Sequence, residues 1–168
     1  MNENINLRKL TEDDIEQVRI WRNTISINKN FIDRAIISKE DQQNWFKNIN
    51  PQLEKYYIAD YKSQRMGLFY ATKIDYEKKE CEPNGFIGIS KFINTPIAGI
   101  ALLSFFKFLF TELGMLKLKG KIMKHNHSFI ELHKQLNANI IATENAKMLK
   151  VELTKESFKE FINRYHII

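Results

Sequence analysis

Phe86-Ile87-Gly88-Ile89-Ser90-Lys91-Phe92-Ile93-Asn94-Thr95-Pro96-Ile97-Ala98-Gly99-Ile100-Ala101 is the stretch on which the fold turns. Its first part, Phe86 to Phe92, reads as a short apolar strand with Gly88 inside it. Such a glycine marks a bulge or the close approach of another group. Asn94-Thr95-Pro96 then leads into a long apolar helix that opens at Ile97 and stops at Gly114. A helix start leaves amide donors unpaired and carries partial positive charge, so this junction suits a pyrophosphate. Gly99 and Ala101 are small enough to let a phosphate approach the backbone. A helix that begins with small residues for packing alone reads the same way.

Upstream, Asn4 to Leu10 alternates weakly as a first strand. Thr11 with Asp14 forms a capping-box variant, opening a helix with Ile15 and Val18 on one side and Trp21-Arg22-Asn23 at its end. After an irregular stretch, Ser38 with Asp41 caps a second helix. Gln42, Trp45, Phe46 and Ile49 recur there at helical spacing until Pro51, and Trp45 and Phe46 read as core. Lys55 to Tyr61 and Met66 to Ile74 flank Lys62-Ser63-Gln64-Arg65 and predict a hairpin, with Tyr56, Tyr57, Tyr61 and Tyr70 as strand core and cross-strand pairs. Pro83-Asn84-Gly85 predicts a turn. Downstream, Met115 to Met123 reads as a strand and Asn126 to Leu136 as a helix. Ile140 to Thr143 and Lys147 to Leu153 read as the last strands, before a terminal helix capped by Thr154. This order predicts an α/β (α+β) protein, a mixed sheet with helices on both faces.

No repeat, low-complexity tract or Pro/Gly-rich linker divides the 168 residues, so one domain over 1–168 is expected. At 43% apolar and 27% charged residues the composition is that of an ordinary globular chain. The net charge of +6 comes mainly from lysine. Only short basic clusters occur, such as Lys117 to Lys121, and no nucleic-acid motif accompanies them. That argues against nucleic acid and leaves room for a phosphate-bearing small ligand. The lone cysteine, Cys81, excludes an internal disulfide and fits a reducing compartment; with no His or acid pattern to activate it, the thiol reads as inert. Charges from Glu3 to Asp14 leave no signal-peptide core, and Ile97 to Leu113 is short for a membrane span and broken by Lys107 and Glu112. A cytoplasmic location without membrane attachment is expected. His125 and His127 point to different sides and lack further ligands, so no metal is expected.

The element order and Pro96-Ile97-Ala98-Gly99-Ile100-Ala101 resemble the GNAT superfamily of acyltransferases. Their junction cradles the CoA pyrophosphate through a Gln/Arg-x-x-Gly-x-Gly/Ala pattern. Gly99 and Ala101 fit this pattern, whereas Pro96 stands where Gln or Arg is usual and also suits the first helical position. The resemblance implies the GNAT fold with a mostly antiparallel sheet of about seven strands. It also implies acetyl-CoA as co-substrate, contacted by Gly88, Ile89, Ser90, Ile97, Ala98, Gly99, Ile100, Ala101 and Asn126. A splayed fourth strand would free amides near Gly88 to Ser90 to bind pantetheine and polarise the thioester carbonyl. Asn126, Ile130 and His133 share one helical stripe. By the resemblance, His133 falls where many members carry a Tyr that protonates the departing thiolate, a task its ordinary pKa suits. Asn137-Ala138 replaces the usual Gly-Phe. No carboxylate stands out as a base, so water is expected to take the amine proton.

A closer resemblance is to the branch that acetylates the 4-amino group of a UDP-linked 4-amino-4,6-dideoxy sugar in pseudaminic acid biosynthesis. Trp21-Arg22-Asn23, Ile37-Ser38, Ala71-Thr72-Lys73-Ile74 and Gly85-Phe86-Ile87-Gly88-Ile89 carry it. It implies a nucleotide-linked amino sugar as partner, with Arg22, Thr72 and Lys73 on the nucleotide or its phosphates. Gln42 stands where the branch often has His, and Ser90 where a Tyr is sometimes found. Read alone, Arg22 also completes a helix dipole and Lys73 is a solvated strand-end charge. A homodimer is compatible with the resemblance. Other acceptors stay open, a protein N-terminus or a dTDP-linked sugar among them, as does a non-catalytic ligand-binding domain.

Overall fold

In chain order the strands are β1 (Ile5–Lys9), β2 (Lys55–Tyr61), β3 (Gln64–Asp75), β4 (Glu80–Ile87), β5 (Lys117–Met123), β6 (Asn139–Ala142) and β7 (Met148–Thr154). They form one seven-stranded sheet in the order β1-β2-β3-β4-β5-β7-β6. The helices are α1 (Glu12–Asn23), α2 (Ile25–Asn28), α3 (Lys39–Lys47), α4 (Pro96–Thr111), α5 (His127–Gln135) and α6 (Lys155–Tyr165). This computed structural model describes residues 5–29, 31 and 33–165, so Asn4 of the expected first strand lies outside the described residues. β1 pairs with β2, and β7 with β5 and β6, in antiparallel fashion. β4 and β5 are parallel, matched at Glu80↔Lys117 and Cys81↔Leu118. The sheet is therefore mixed, as the element order predicts.

The chain packs as two compact units. The first holds the described residues up to Tyr70 together with Gly85–Leu102. Val18, Trp21, Ile27, Ile58 and Leu68 form its core, with Leu10, Phe31, Tyr56, Tyr70, Phe86 and Ile89 packed against it. Burial of such side chains, worth roughly 1.5–3 kcal/mol each, drives the packing. At its edge Asp14 is fully buried. Arg8 donates to it through Nη1 and Nη2 at 2.7 and 2.8 Å. Thr11 donates through its amide and hydroxyl at 3.0 and 2.9 Å. Arg65 approaches it at 3.0 Å, and Arg8 Nε donates to Asp60 at 2.9 Å. Burial opposes ionisation of Asp14, but the Arg8 and Thr11 bonds outweigh it and hold the carboxyl at about 2.

The second unit holds Ala71–Asn84 and the described residues from Leu103 onward. Phe105, Phe106, Leu109 and Phe110 of α4 are buried there, as are Leu118, Ile122, Val151, Leu153 and Phe158. The Phe158 ring meets Phe106 at 6.4 Å and Phe110 at 5.3 Å. Cys81 is buried in this unit. Burial, with Glu82 adding to it, pushes its thiol up to about 12.

Structure and expectation part company around β4. The strand runs through Pro83-Asn84-Gly85, and the turn lies instead at residues 76–79, with Lys79 left-handed at φ 53°. Lys73, inside β3, is left-handed at φ 51°, and its side chain pairs with Glu82, next to Pro83. Gly85 is there for space, since a Cβ would lie 2.6 Å from the Phe69 ring. β4 ends at Ile87, and Ser90–Phe92 is a 3-10 turn rather than strand. The β2–β3 turn is only Lys62-Ser63, at φ 47° and 63°, so β3 starts earlier than expected. α2 lies in the stretch read as irregular. Trp45 and Phe46, expected as core, are half-buried.

Candidate functional site

Local chemistry sets the first unit's helices. Ser38 Oγ accepts from the Asp41 amide at 3.0 Å, and Asp41 accepts from the Ser38 hydroxyl and amide at 2.7 and 3.2 Å. Arg19 and Asn23 side chains donate to Ile37 O at 3.1 and 2.9 Å, pinning the approach to α3 against α1. Between these helices and the strands lies a cleft of ≈ 340 Å³. Tyr56, Leu68, Tyr70 and Phe86 come from the strands, and Arg22, Phe31, Asp41, Gln42 and Trp45 are among the residues that face them.

Two donors there lack an acceptor. Arg22 Nη1 and Gln42 Nε2 are buried and unpartnered, and among the described residues no carboxylate lies within 4.0 Å of Arg22. Burial lowers the Arg22 pKa, while Tyr70 and Asp33 oppose the shift. Its Cζ sits 3.4 Å from the Phe31 ring centroid. The Tyr56 and Tyr70 rings stack at 5.0 Å, and Trp45 meets Tyr56 edge-on at 5.0 Å. A buried donor without a protein partner costs about 1–3 kcal/mol, so its acceptor comes from ordered water or from a ligand. The aromatic walls went unassigned in the sequence because an aromatic on an alternating strand reads as core whether or not a ligand meets it.

A larger depression of ≈ 740 Å³ lies near Arg8, Asp60 and the Lys62-Ser63 turn. Of the expected site residues only Ile89 lines it, whereas Arg22 and Gln42 line the smaller cleft.

At the junction, the Gly88 amide donates to Met66 O at 2.8 Å, so it is not free for pantetheine as expected. A Cβ at Gly88 would stand 2.1 Å from the Trp21 ring: the close approach is a side chain. Among the described residues no acceptor is assigned to the amides of Ile89, Ser90 and Ile97. Thr95 O takes those of Ala98 and Gly99, at 3.1 and 3.4 Å. A Cβ at Gly99 would meet nothing within 4 Å, whereas Ala101 is fully buried and packs inward. An unpaired amide beside a bare backbone face, at the start of a 16-residue helix, fits a phosphate group.

Ile100 is half-buried on α4 in the first unit, and Asn126, His133, Thr72 and Lys73 belong to the second. Asn126 caps α5, its side-chain oxygen accepting from the Phe129 amide at 3.3 Å. His133 is buried, with its ring 4.5 Å from that of Phe129 and 6.1 Å from that of Phe106. Its Nδ1 lies 2.8 Å from Phe129 O. A carbonyl only accepts, so Nδ1 carries the proton and Nε2 of the neutral ring keeps a lone pair. Burial lowers the His133 pKa against the opposing Phe129 bond. Thr72 Oγ1 reaches Glu82 O at 3.5 Å, and exposed Lys73 pairs with the Glu82 carboxylate at 3.0 Å. Arg22 and Gln42 thus share one cleft, and Thr72 and Lys73 are not part of it. Among the described residues no cluster of metal-binding side chains occurs, and no helix is long and apolar enough to cross a membrane.

Residues 7–151 match the family described as Acetyltransferase (GNAT) domain. No curated protein matches the sequence. Among solved structures, spermidine N-acetyltransferase from Vibrio cholerae in complex with CoA and spermine is similar at TM-score 0.81 and 16% identity, over 94% of this chain and 99% of that one. Apo FdhC, a nucleotide-linked sugar GNAT, is similar at 0.80 and 20%, over 97% and 93%. The Campylobacter jejuni N-acetyltransferase PseH is similar at 0.66 and 22%, over 90% and 98%. At these identities the likeness is one of fold.

Proposed function

Because the chain belongs to the GNAT acetyltransferases, we propose that it moves an acetyl group from acetyl-CoA to the 4-amino group of a UDP-linked amino-dideoxy sugar. Membership makes it an acyl-CoA-dependent N-acetyltransferase. The observation that supports this acceptor is the pair of buried, unpartnered donors, Arg22 Nη1 and Gln42 Nε2, lining one aromatic cleft. A cation and an amide among aromatic rings suit a ligand with a planar base and acceptor oxygens, as in a nucleoside diphosphate. A polyamine is a row of ammonium groups and asks for carboxylates. This cleft offers a guanidinium with an unpartnered Nη1, and its Asp41 accepts from Ser38. The sugar itself rests on the resemblance to the pseudaminic acid branch. FdhC, a nucleotide-linked sugar GNAT, shares the fold, and so does the spermidine enzyme.

Ile97 and the bare face at Gly99 would hold a CoA phosphate, and the Ile89 and Ser90 amides its pantetheine arm. When bound, acetyl-CoA supplies the activated thioester carbonyl. Orienting the amine against it in a ternary complex provides most of the acceleration. The resemblance makes His133 the acid for the departing thiolate; because Nε2 of the neutral ring carries no proton, that role is proposed here as a relay. Nε2 takes the proton lost as the nitrogen–acetyl bond forms, and returns it to sulfur as the carbon–sulfur bond breaks. Burial disfavours the imidazolium, which favours the second transfer.

Steady-state kinetics with UDP-linked 4-amino sugar, spermidine and a peptide amine test the acceptor. Turnover on the sugar and none on spermidine is expected; preference for spermidine would replace this reading with the polyamine one. Arg22→Gln should raise the acceptor KM about 10- to 100-fold with kcat little changed, the scale of a charged hydrogen bond. His133→Ala should lower kcat far more than it raises KM, and an unchanged kcat removes His133 from the reaction.

A further inference from the structure

Three arginines of the first unit meet a carboxylate: Arg8 is held by Asp14 and Asp60, Arg65 by Asp14, and Arg19 by Glu16 at 2.8 Å, while Arg34 donates to Phe31 O at 3.3 Å. Arg22 has no carboxylate within 4.0 Å among the described residues; its Cζ lies over the Phe31 ring, 3.4 Å from the centroid. The distinction matters for what stays free. A carboxylate would occupy the N–H edge of the guanidinium, whereas an aromatic ring attracts the cation through its face and leaves the in-plane donors unspent. The buried, unpartnered Nη1 is such a donor.

The ring is itself fixed. Phe31 meets Phe86 edge-to-face at 5.6 Å and 84°, and Phe86 meets Trp21 in the same way at 6.4 Å and 87°. Trp21 is in turn seated on Gly88. The Phe31 amide donates to Asn28 O at 3.0 Å. A chain of rings therefore runs from the end of β4 to the arginine, and its last member sets where the guanidinium plane lies.

We propose that Phe31 is a positioning residue for acceptor binding: its ring stands in for a carboxylate under Arg22, holding the guanidinium while leaving its charge and its free N–H edge to an anionic or carbonyl oxygen of the acceptor. This role rests on the nucleotide-linked acceptor argued above. Phe31 touches the arginine and acts through it.

The test compares wild type, Arg22→Gln, Phe31→Leu, Phe31→Tyr and the double variant Arg22→Gln/Phe31→Leu. UDP binding is read by titration calorimetry, and KM and kcat with acetyl-CoA and the UDP-linked amino sugar. Phe31→Leu keeps an apolar side chain without the π face, and should weaken UDP binding and raise the acceptor KM about 5- to 30-fold, the range of a desolvated cation–π contact. Its kcat and acetyl-CoA KM should stay within about twofold, a split that general loosening of the fold would not produce. Phe31→Tyr should restore wild-type values, and in the Arg22→Gln background Phe31→Leu should add no further loss. Equal losses in Phe31→Leu and Phe31→Tyr, or a parallel fall in kcat, would overturn the role. If wild type binds UDP, Arg22→Gln weakens it and Phe31→Leu does not, the Phe31 role fails while the nucleotide reading stands. If wild type binds neither UDP nor the UDP sugar, the nucleotide reading fails and takes this role with it.

Discussion

A methyl group added at Gly88 would have to displace the Trp21 indole, because a Cβ there stands 2.1 Å from the ring. Gly88→Ala is expected to cost about 1–3 kcal/mol in urea unfolding, the scale of an overpacked core. Gly99 is the counterexample: a Cβ there meets nothing within 4 Å. Gly99→Ala should gain roughly 0.5–1 kcal/mol from helix propensity, yet raise the KM for acetyl-CoA if a phosphate lies against that face. His133 gives a pH signature. Its pKa is lowered by burial, and only the neutral ring offers a lone pair at Nε2. A pH–rate profile for kcat/KM should therefore rise through a group titrating below the ordinary histidine range and then level off, and His133→Ala should abolish that limb. A limb that falls with rising pH would make His133 an acid instead. At this scale Arg22 and Gln42 were legible only through resemblance. The unpaired state of their nitrogens depends on which distant groups fail to arrive, and no local pattern records that.

Helix starts were the most legible elements. Thr11 with Asp14, Ser38 with Asp41, and Thr154 each satisfy a backbone amide or its partner within one turn, so the signal and the structure occupy the same few residues. Ser38→Ala should cost about 1 kcal/mol in thermal unfolding, and should loosen the helix that buries Gln42. β4 was harder for a physical reason. Pro-Asn-Gly is turn chemistry in isolation, and the contacts that accompany it in a strand, Lys73 with Glu82 and the Phe69 ring against Gly85, come from β3. The β2–β3 hairpin was legible, but its turn was read two residues too long. Lys62 and Ser63 both adopt positive φ without the Asn or Gly that usually announces such a turn.

For the molecule as a whole, the order of strands and helices was readable because each element has its own period or cap. The partition into two compact units was not, because its boundaries fall inside β3, β4 and α4, where no linker composition exists. The network around Asp14 joins β1, α1, β2 and β3 and makes the chain sensitive to acid. Its carboxyl sits at about 2 when folded and near 3.8 when free. A depressed carboxylate stabilises fully above its unfolded pKa and loses that contribution as pH falls through the folded one. Roughly 2 kcal/mol should therefore disappear between about pH 4 and pH 2, and Asp14→Asn should flatten that part of a stability–pH curve.

The thiol of Cys81 has one more consequence. It is the chain's single cysteine, it is buried, and its protonation is driven up to about 12. An alkylating reagent at pH 8 should leave the native chain unmarked and modify it once, at one mass increment, each time the surrounding packing opens. The protein thus carries its own stopwatch: the rate at which iodoacetamide is consumed counts opening events without any engineered label.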